Sequence, residues 1–77
     1  MAIEILFFGS LTDATTVARL IVDGVDDTDQ LRTYLMERYP ALRSARYFVA
    51  VNQRMIQQTE SLRPGDVVAL MPPFSGG

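Results

Sequence analysis

Only one stretch of this chain carries a helical period, and the segments around it read as strands. Leu31 and Leu35 lie one helical turn apart, Tyr34 sits beside them and Tyr39 continues the stripe, so the four share one face of a helix. Asp27 ahead of them is a good N-cap, and Gln30 completes a capping-box pattern. Asp29 in the first turn and Arg38 in the last suit the helix dipole. Pro40 ends the helix, because proline disfavours helical geometry at Tyr39 and removes a donor. At 77 residues the chain is one small domain. A single helix can cover only one face of a small sheet, so the fold class is α+β.

The strands follow from β-branched and aromatic runs bounded by turn residues. Ile3 to Phe8 is the first, ended by Gly9 and Ser10. Thr16 to Val22 is the second, joined to the first by a longish loop at residues 9–15 and closed by Asp23-Gly24. Tyr47 to Val51 is the third, Asn52-Gln53-Arg54 a tight connection, and Met55 to Gln57 a short fourth. Pro64-Gly65 has the chemistry of a type II turn: proline presets the first central position and glycine accepts the positive φ of the second. Val67 to Met71 is the last strand. With the first and last strands adjacent at its centre, a mixed sheet of four to five strands carrying one main helix on one face is the ubiquitin-like β-grasp. Residues 1–71 form this domain in the sequence reading, and residues 72–77 a flexible tail.

Composition excludes several function classes. The chain has no cysteine and no histidine, so neither disulfides nor thiolate-bound metals staple it. A hydrophobic content of 48% leaves packing to do so. Asp23, Asp26, Asp27 and Asp29 cluster, but without the ligand spacing and glycine of a calcium loop; capping and solvation explain them, and no metal site is expected. The net charge is −2 and every basic residue is arginine, a pattern with no footprint for nucleic acid. The longest apolar run, Ile5 to Phe8, is far too short to span a bilayer, and no export signal is visible, so a cytoplasmic protein is expected. No catalytic constellation stands out. Ser75 has neither a histidine nor a lysine to act as its base.

Strand alternation raises the question of the sheet's second face. Ile3, Ile5 and Phe7 point one way, with Val49, Val51, Val68 and Leu70; Glu4, Leu6 and Phe8 point the other, with Phe48, Ala50, Val67, Ala69 and Met71. The helix covers the first set. The second face should be polar if it meets water, yet it carries Leu6, Phe8, Phe48 and Met71, joined by Met55. A contiguous apolar patch of this kind marks a protein interface.

The chain ends Met71-Pro72-Pro73-Phe74-Ser75-Gly76-Gly77. Two prolines stop the strand and hold the chain extended, and from Pro72 the tail reaches roughly 20 Å. Glycine has no Cβ, so Gly76-Gly77 can enter a narrow channel. A terminal carboxylate delivered this way is inert until activated; adenylation makes it a mixed anhydride open to a sulfur or amine nucleophile.

Ile5-Leu6-Phe7-Phe8, Ala50-Val51-Asn52-Gln53, Pro64-Gly65-Asp66-Val67-Val68-Ala69 and the Pro72-Pro73-Phe74-Ser75-Gly76-Gly77 tail together resemble the molybdopterin synthase small-subunit family of ubiquitin-like sulfur carriers, over essentially the whole chain. Thiamine-pathway sulfur carriers share the fold and the Gly-Gly but typically lack the double proline. The resemblance implies that a ubiquitin-activating-type adenylyltransferase adenylates Gly77 with ATP. A sulfur donor then makes the thiocarboxylate, and the tail inserts into the large subunit of a heterotetrameric synthase to give sulfur to cyclic pyranopterin monophosphate. ATP and the sulfur donor belong to the activating enzyme, so the chain binds no cofactor and is no enzyme by itself. The family's interface positions map onto Phe8, Met55 and Met71, and its inserted tail onto Pro72, Pro73, Phe74, Ser75, Gly76 and Gly77. Residues 9–15 lack the family's common Ala-x-x-Arg-Glu stretch. The alternatives are a carrier for thiamine, tungsten cofactor or tRNA thiolation, or a ubiquitin-like protein modifier.

Overall fold

Period-two burial along the first strand divides the sheet into a covered and an open face. In the computed structural model, which describes residues 2–73, β1 (Ala2–Phe7) buries Ile3, Ile5 and Phe7 and leaves Glu4 and Leu6 on the other side. A short helix, α1 (Leu11–Thr15), follows, then β2 (Arg19–Asp23), the main helix α2 (Thr28–Arg38), a 3-10 turn (Pro40–Ser44), β3 (Phe48–Val51), the two-residue β4 (Arg54–Met55) and β5 (Val67–Met71). The strand order is β2-β1-β5-β3-β4. β1 and β5 pair in parallel at the centre, with Ile5 opposite Val68 and Phe7 opposite Leu70; the other pairs are antiparallel. This is the ubiquitin-like β-grasp.

Leu31 and Leu35 of α2 join Ile3, Ile5, Phe7, Val51, Val68 and Leu70 in one buried cluster, and the Tyr39 ring meets Phe7 edge-on at 6.1 Å. Asp27 caps α2: its carboxylate accepts from the Gln30 N–H at 2.8 Å. Gln30 reaches back one residue further than an ideal box, accepting from the Asp26 N–H at 2.9 Å. Gly65 takes φ +89 and the Asp66 N–H closes the turn on the Arg63 carbonyl at 3.0 Å, as Pro-Gly demands.

The structure corrects several element boundaries expected from the sequence and extends the role of Pro40. Residues 9–15 are no plain loop but contain α1, which buries Leu11 and Thr15 one turn apart and stops at Thr16 in a left-handed cap. The second strand therefore begins at Arg19 and not at Thr16. The third begins at Phe48, and Arg54 belongs to the fourth, because Asn52 (φ 51) and Gln53 (φ 69) alone make the turn. Two positive φ values in a two-residue loop match the twist of a hairpin, and asparagine tolerates that conformation. Finally, Pro40 ends α2 but also starts the 3-10 turn, whose Leu42 is core. Proline suits a first helical position, where its missing N–H has no partner anyway.

Candidate protein-binding face and tail exit

Pairing register sets the open face residue by residue. Leu6 lies beside Ala69, Ala69 beside Ala50, and Ala50 beside Met55, giving one cross-strand row. The next row runs through Phe48 and its partner Met71. Phe8 extends it, since its N–H donates to the Leu70 carbonyl at 3.0 Å and strand parity puts its side chain on the Leu6 side. Phe8, Phe48 and Met55 are 46%, 49% and 52% exposed, values that large apolar side chains seldom keep on a sheet facing water. Met71 is half-buried between them, and Ala50, though on this face, is buried under its neighbours because it is short. An ion pair between Arg19 and Glu4 bounds the patch on the β2 side. Beyond it Ile21, opposite Glu4, is a further exposed apolar residue that the sequence reading did not place there.

The tail leaves from this patch. β5 ends at Met71, so Pro72 follows directly on the Phe8–Met71–Phe48 row. Pro72 is half-buried against Gly9: a Cβ built on Gly9 would lie 3.0 Å from Pro72 Cγ. Gly9 also has φ +57. A glycine that sequence reasoning treated as a strand terminator is thus the seat for the first tail residue. Its position directly after Phe8, at the end of a central strand, was the available signal. Pro73 is exposed. Phe74, Ser75, Gly76 and Gly77 lie outside the described residues.

A polar staple holds the far end of β5. Asn52 donates from its amide to Asp66 at 3.0 Å and accepts from the Val67 N–H at 3.0 Å, while its own N–H reaches the Val67 carbonyl at 2.7 Å. The hydrogen bond from Asn52, then the one from the Arg63 N–H, holds the Asp66 carboxyl below its ordinary range. Two motifs that carried the sequence resemblance, around Asn52 and Asp66, therefore bond to each other. Asp27, in the acidic cluster, is accounted for as a helix cap. Among the described residues no helix is long and apolar enough to cross a membrane.

An apolar face that runs up to Pro72 suits protein docking. A molybdopterin synthase sulfur carrier subunit from Chlamydomonas reinhardtii is 32% identical over 83 residues, covering all of both chains. Among solved structures, a chain of the complex of subunits 1 and 2 of molybdopterin-converting factor from Helicobacter pylori superimposes with a TM-score of 0.78 at 28% identity, covering 100% of each chain. Small archaeal modifier protein 1 from Haloferax volcanii does so with a TM-score of 0.83 at 26% identity, again over 100% of each. The ThiS family matches residues 5–77, which takes in the central β1–β5 pair, the apolar rows and the tail alike, and the chain belongs to that family.

Proposed function

We propose that this chain is the sulfur-carrier subunit of a molybdopterin synthase and that its tail carries the sulfur. The observation that carries the reading is the continuity of the exposed Phe8–Met71–Phe48 row with the tail at Pro72. A partner that grips this face holds the root of the tail at the same time. The full-length likeness to a molybdopterin synthase sulfur carrier supports it.

In this reading the Gly77 carboxylate attacks the α-phosphate of ATP on an adenylyltransferase of the ubiquitin-activating type, and pyrophosphate leaves. Hydrosulfide released by the sulfur donor then attacks the acyl carbon, AMP leaves, and loss of the proton gives the thiocarboxylate. The chain contributes no catalytic side chain to either step. It offers a slender backbone, with Gly76 and Gly77 free of side chains that would obstruct a narrow channel. Pro72, Pro73, Phe74 and Ser75 line up the approach, and Phe8, Met55 and Met71 dock the domain. The large subunit supplies the catalytic groups that pass sulfur to cyclic pyranopterin monophosphate, within a heterotetramer in the cytoplasm. ATP and the sulfur donor are used by the activating enzyme.

Intact mass spectrometry after incubation with the activating enzyme, ATP and a sulfur source tests this. One terminal oxygen is expected to be replaced by sulfur. Deleting Gly77, or extending the chain past it, is expected to abolish molybdopterin synthesis while the far-UV spectrum stays unchanged. Synthesis by a blocked terminus overturns the reading.

A second reading, protein modification, is favoured by the likeness to a small archaeal modifier protein. It requires covalent adducts on target lysines in place of a stable thiocarboxylate. The chain has no lysine, so it cannot conjugate to its own side chains through an isopeptide bond. A carrier serving thiamine, tungsten cofactor or tRNA thiolation is separated by its failure to bind a purified synthase large subunit.

A further inference from the structure

We propose that the groove between α2, the 3-10 turn and the start of β3 is a second docking surface, and that it takes an extended acidic segment of a partner protein. The groove measures about 400 Å³, and Arg32, Arg43 and Arg46 line it together with Met36, Tyr47 and Phe48. The lining holds no carboxylate. In a chain of net charge −2 with seven basic residues, three of the seven share this one wall.

Among the described residues no ion pair involves these three cations: the ion pairs use Arg19 and Arg54, and Arg38 is engaged by the Tyr39 hydroxyl. Arg32 lies 5.7 Å from the Tyr47 ring centre, a contact that leaves the edge of its guanidinium open to an acceptor. Glu37 lies in the last turns of α2 and Asp13 on α1, but neither lines the groove, and Asp29 faces the adjoining pocket on the other side of Arg32 and Tyr47. Asp27 and Asp29 sit at the start of α2, and Asp66 just before β5, whereas Tyr39 at the far end of α2 meets Phe7 at the end of β1. The basic groove thus lies at the end where the tail departs, and its three arginines attract an acidic partner to that end.

The groove is also continuous with the apolar face. Phe48 belongs to both, as a wall of the groove and as part of the Phe8–Met71–Phe48 row, and Pro73 of the tail lines the groove as well. A protein seated on the open face reaches the groove by passing around Phe48. Asp or Glu side chains of its segment pair with the planar arginine forks, and an apolar side chain between them packs on Met36 and Tyr47. A free phosphate leaves that apolar wall unused, and so a peptide fits better than a small anion. This proposal stands on the groove alone and does not depend on the chemistry of Gly77.

The test is a titration of the ¹⁵N-labelled full chain with the capped peptide Glu-Phe-Asp-Glu-Leu-Asp, followed by amide shifts. Saturable shifts at Arg32, Arg43, Arg46 and Tyr47 are expected. The double variant R43E/R46E should weaken binding about tenfold or more, and a peptide with lysine at every acidic position should give no shifts. Both arginines are exposed, so the fold should survive; R46Q alone provides the same comparison with a smaller loss. The proposal is overturned by the absence of saturable shifts at millimolar peptide. It is equally overturned if inorganic phosphate binds as tightly as the peptide, if the shifts map elsewhere, or if sedimentation shows the groove already filled by self-association.

Discussion

Replacing Gly9 by alanine probes the joint between domain and tail. Gly9 has φ +57, where a β-carbon crowds the following carbonyl at a cost of about 1–2 kcal/mol. The added methyl also meets Pro72 Cγ at 3.0 Å, so one of the two must give by a few tenths of an ångström. Contacting residues typically couple by about 0.5–1 kcal/mol or more. The expected total is about 2 kcal/mol, which in a domain of this size lowers Tm by about 8–16 °C. Gly24→Ala is the control: its φ is +86, but nothing lies within 4 Å of its added methyl. The decisive measurement is a double-mutant cycle in urea. Pro72→Ala removes the ring carbon that the methyl presses on, so Gly9→Ala should cost about 0.5–1 kcal/mol less in that background. If the two substitutions add to within about 0.3 kcal/mol, Gly9 is not the seat of Pro72.

The open face and the far end of β5 yield two further expectations. Met55→Glu, at a side chain that is 52% exposed, should change stability by no more than about 0.5 kcal/mol, while binding to a purified synthase large subunit, read by calorimetry, should weaken about tenfold or more; unchanged affinity removes Met55 from the interface. Asp66 has its folded-state pKa lowered by Asn52 and the Arg63 N–H, so its stabilisation is present above the unfolded carboxylate pKa of about 3.9 and lost as pH falls through the lower folded value. The urea midpoint of the natural chain should therefore exceed that of Asp66→Asn at pH 6, and the gap should close as the pH drops through that window; a gap independent of pH rules out the carboxylate as its source.

Much of this architecture was legible because burial has period two. Once Ile5 and Val68 are assigned to the core, parity alone sends Leu6, Phe8, Phe48 and Met71 to the other side, and the pairing register bears this out. The cap at Asp27 and the turn at Pro64-Gly65 were legible for local reasons, since each depends on a side chain or ring acting within three residues. What escaped was structure too short to show a period. α1 has five residues and fully buries just Leu11 and Thr15, with Ala14 packed beside them. The 3-10 turn hides behind a proline that also ends α2. Leu62, just ahead of the Pro64-Gly65 turn, carries no periodic signal, yet it is buried, because the segment before it hydrogen-bonds to the start of α2: Thr28 and Glu60 exchange bonds, and the Leu62 N–H reaches the Asp26 carbonyl at 2.9 Å. Such partners lie far apart in sequence, and no local pattern announces them. The basic groove escaped for the same reason, since Arg32, Arg43 and Arg46 come from three different segments.

The central position of β5 ties the fold to the tail. An edge strand would release the chain at the rim of the sheet, with a neighbour on one side only. β5 instead lies between β1 and β3. Its last residues are therefore hydrogen-bonded on both flanks, to Phe8 on one side and within the Phe48–Met71 pair on the other. The parallel β1 ends at the same level as β5, and this brings Phe8 and Gly9 alongside Met71 and Pro72. Antiparallel pairing with β1 would have put the start of β1 there, and its glycine seat would lie at the opposite end. The single parallel pair, made possible by the crossover through α2, thus sets both the apolar row and the root of the tail at one end of the sheet. A partner on that face meets a hydrogen-bonded platform up to Met71 and, in Pro72 and Pro73, residues that belong to no strand or helix.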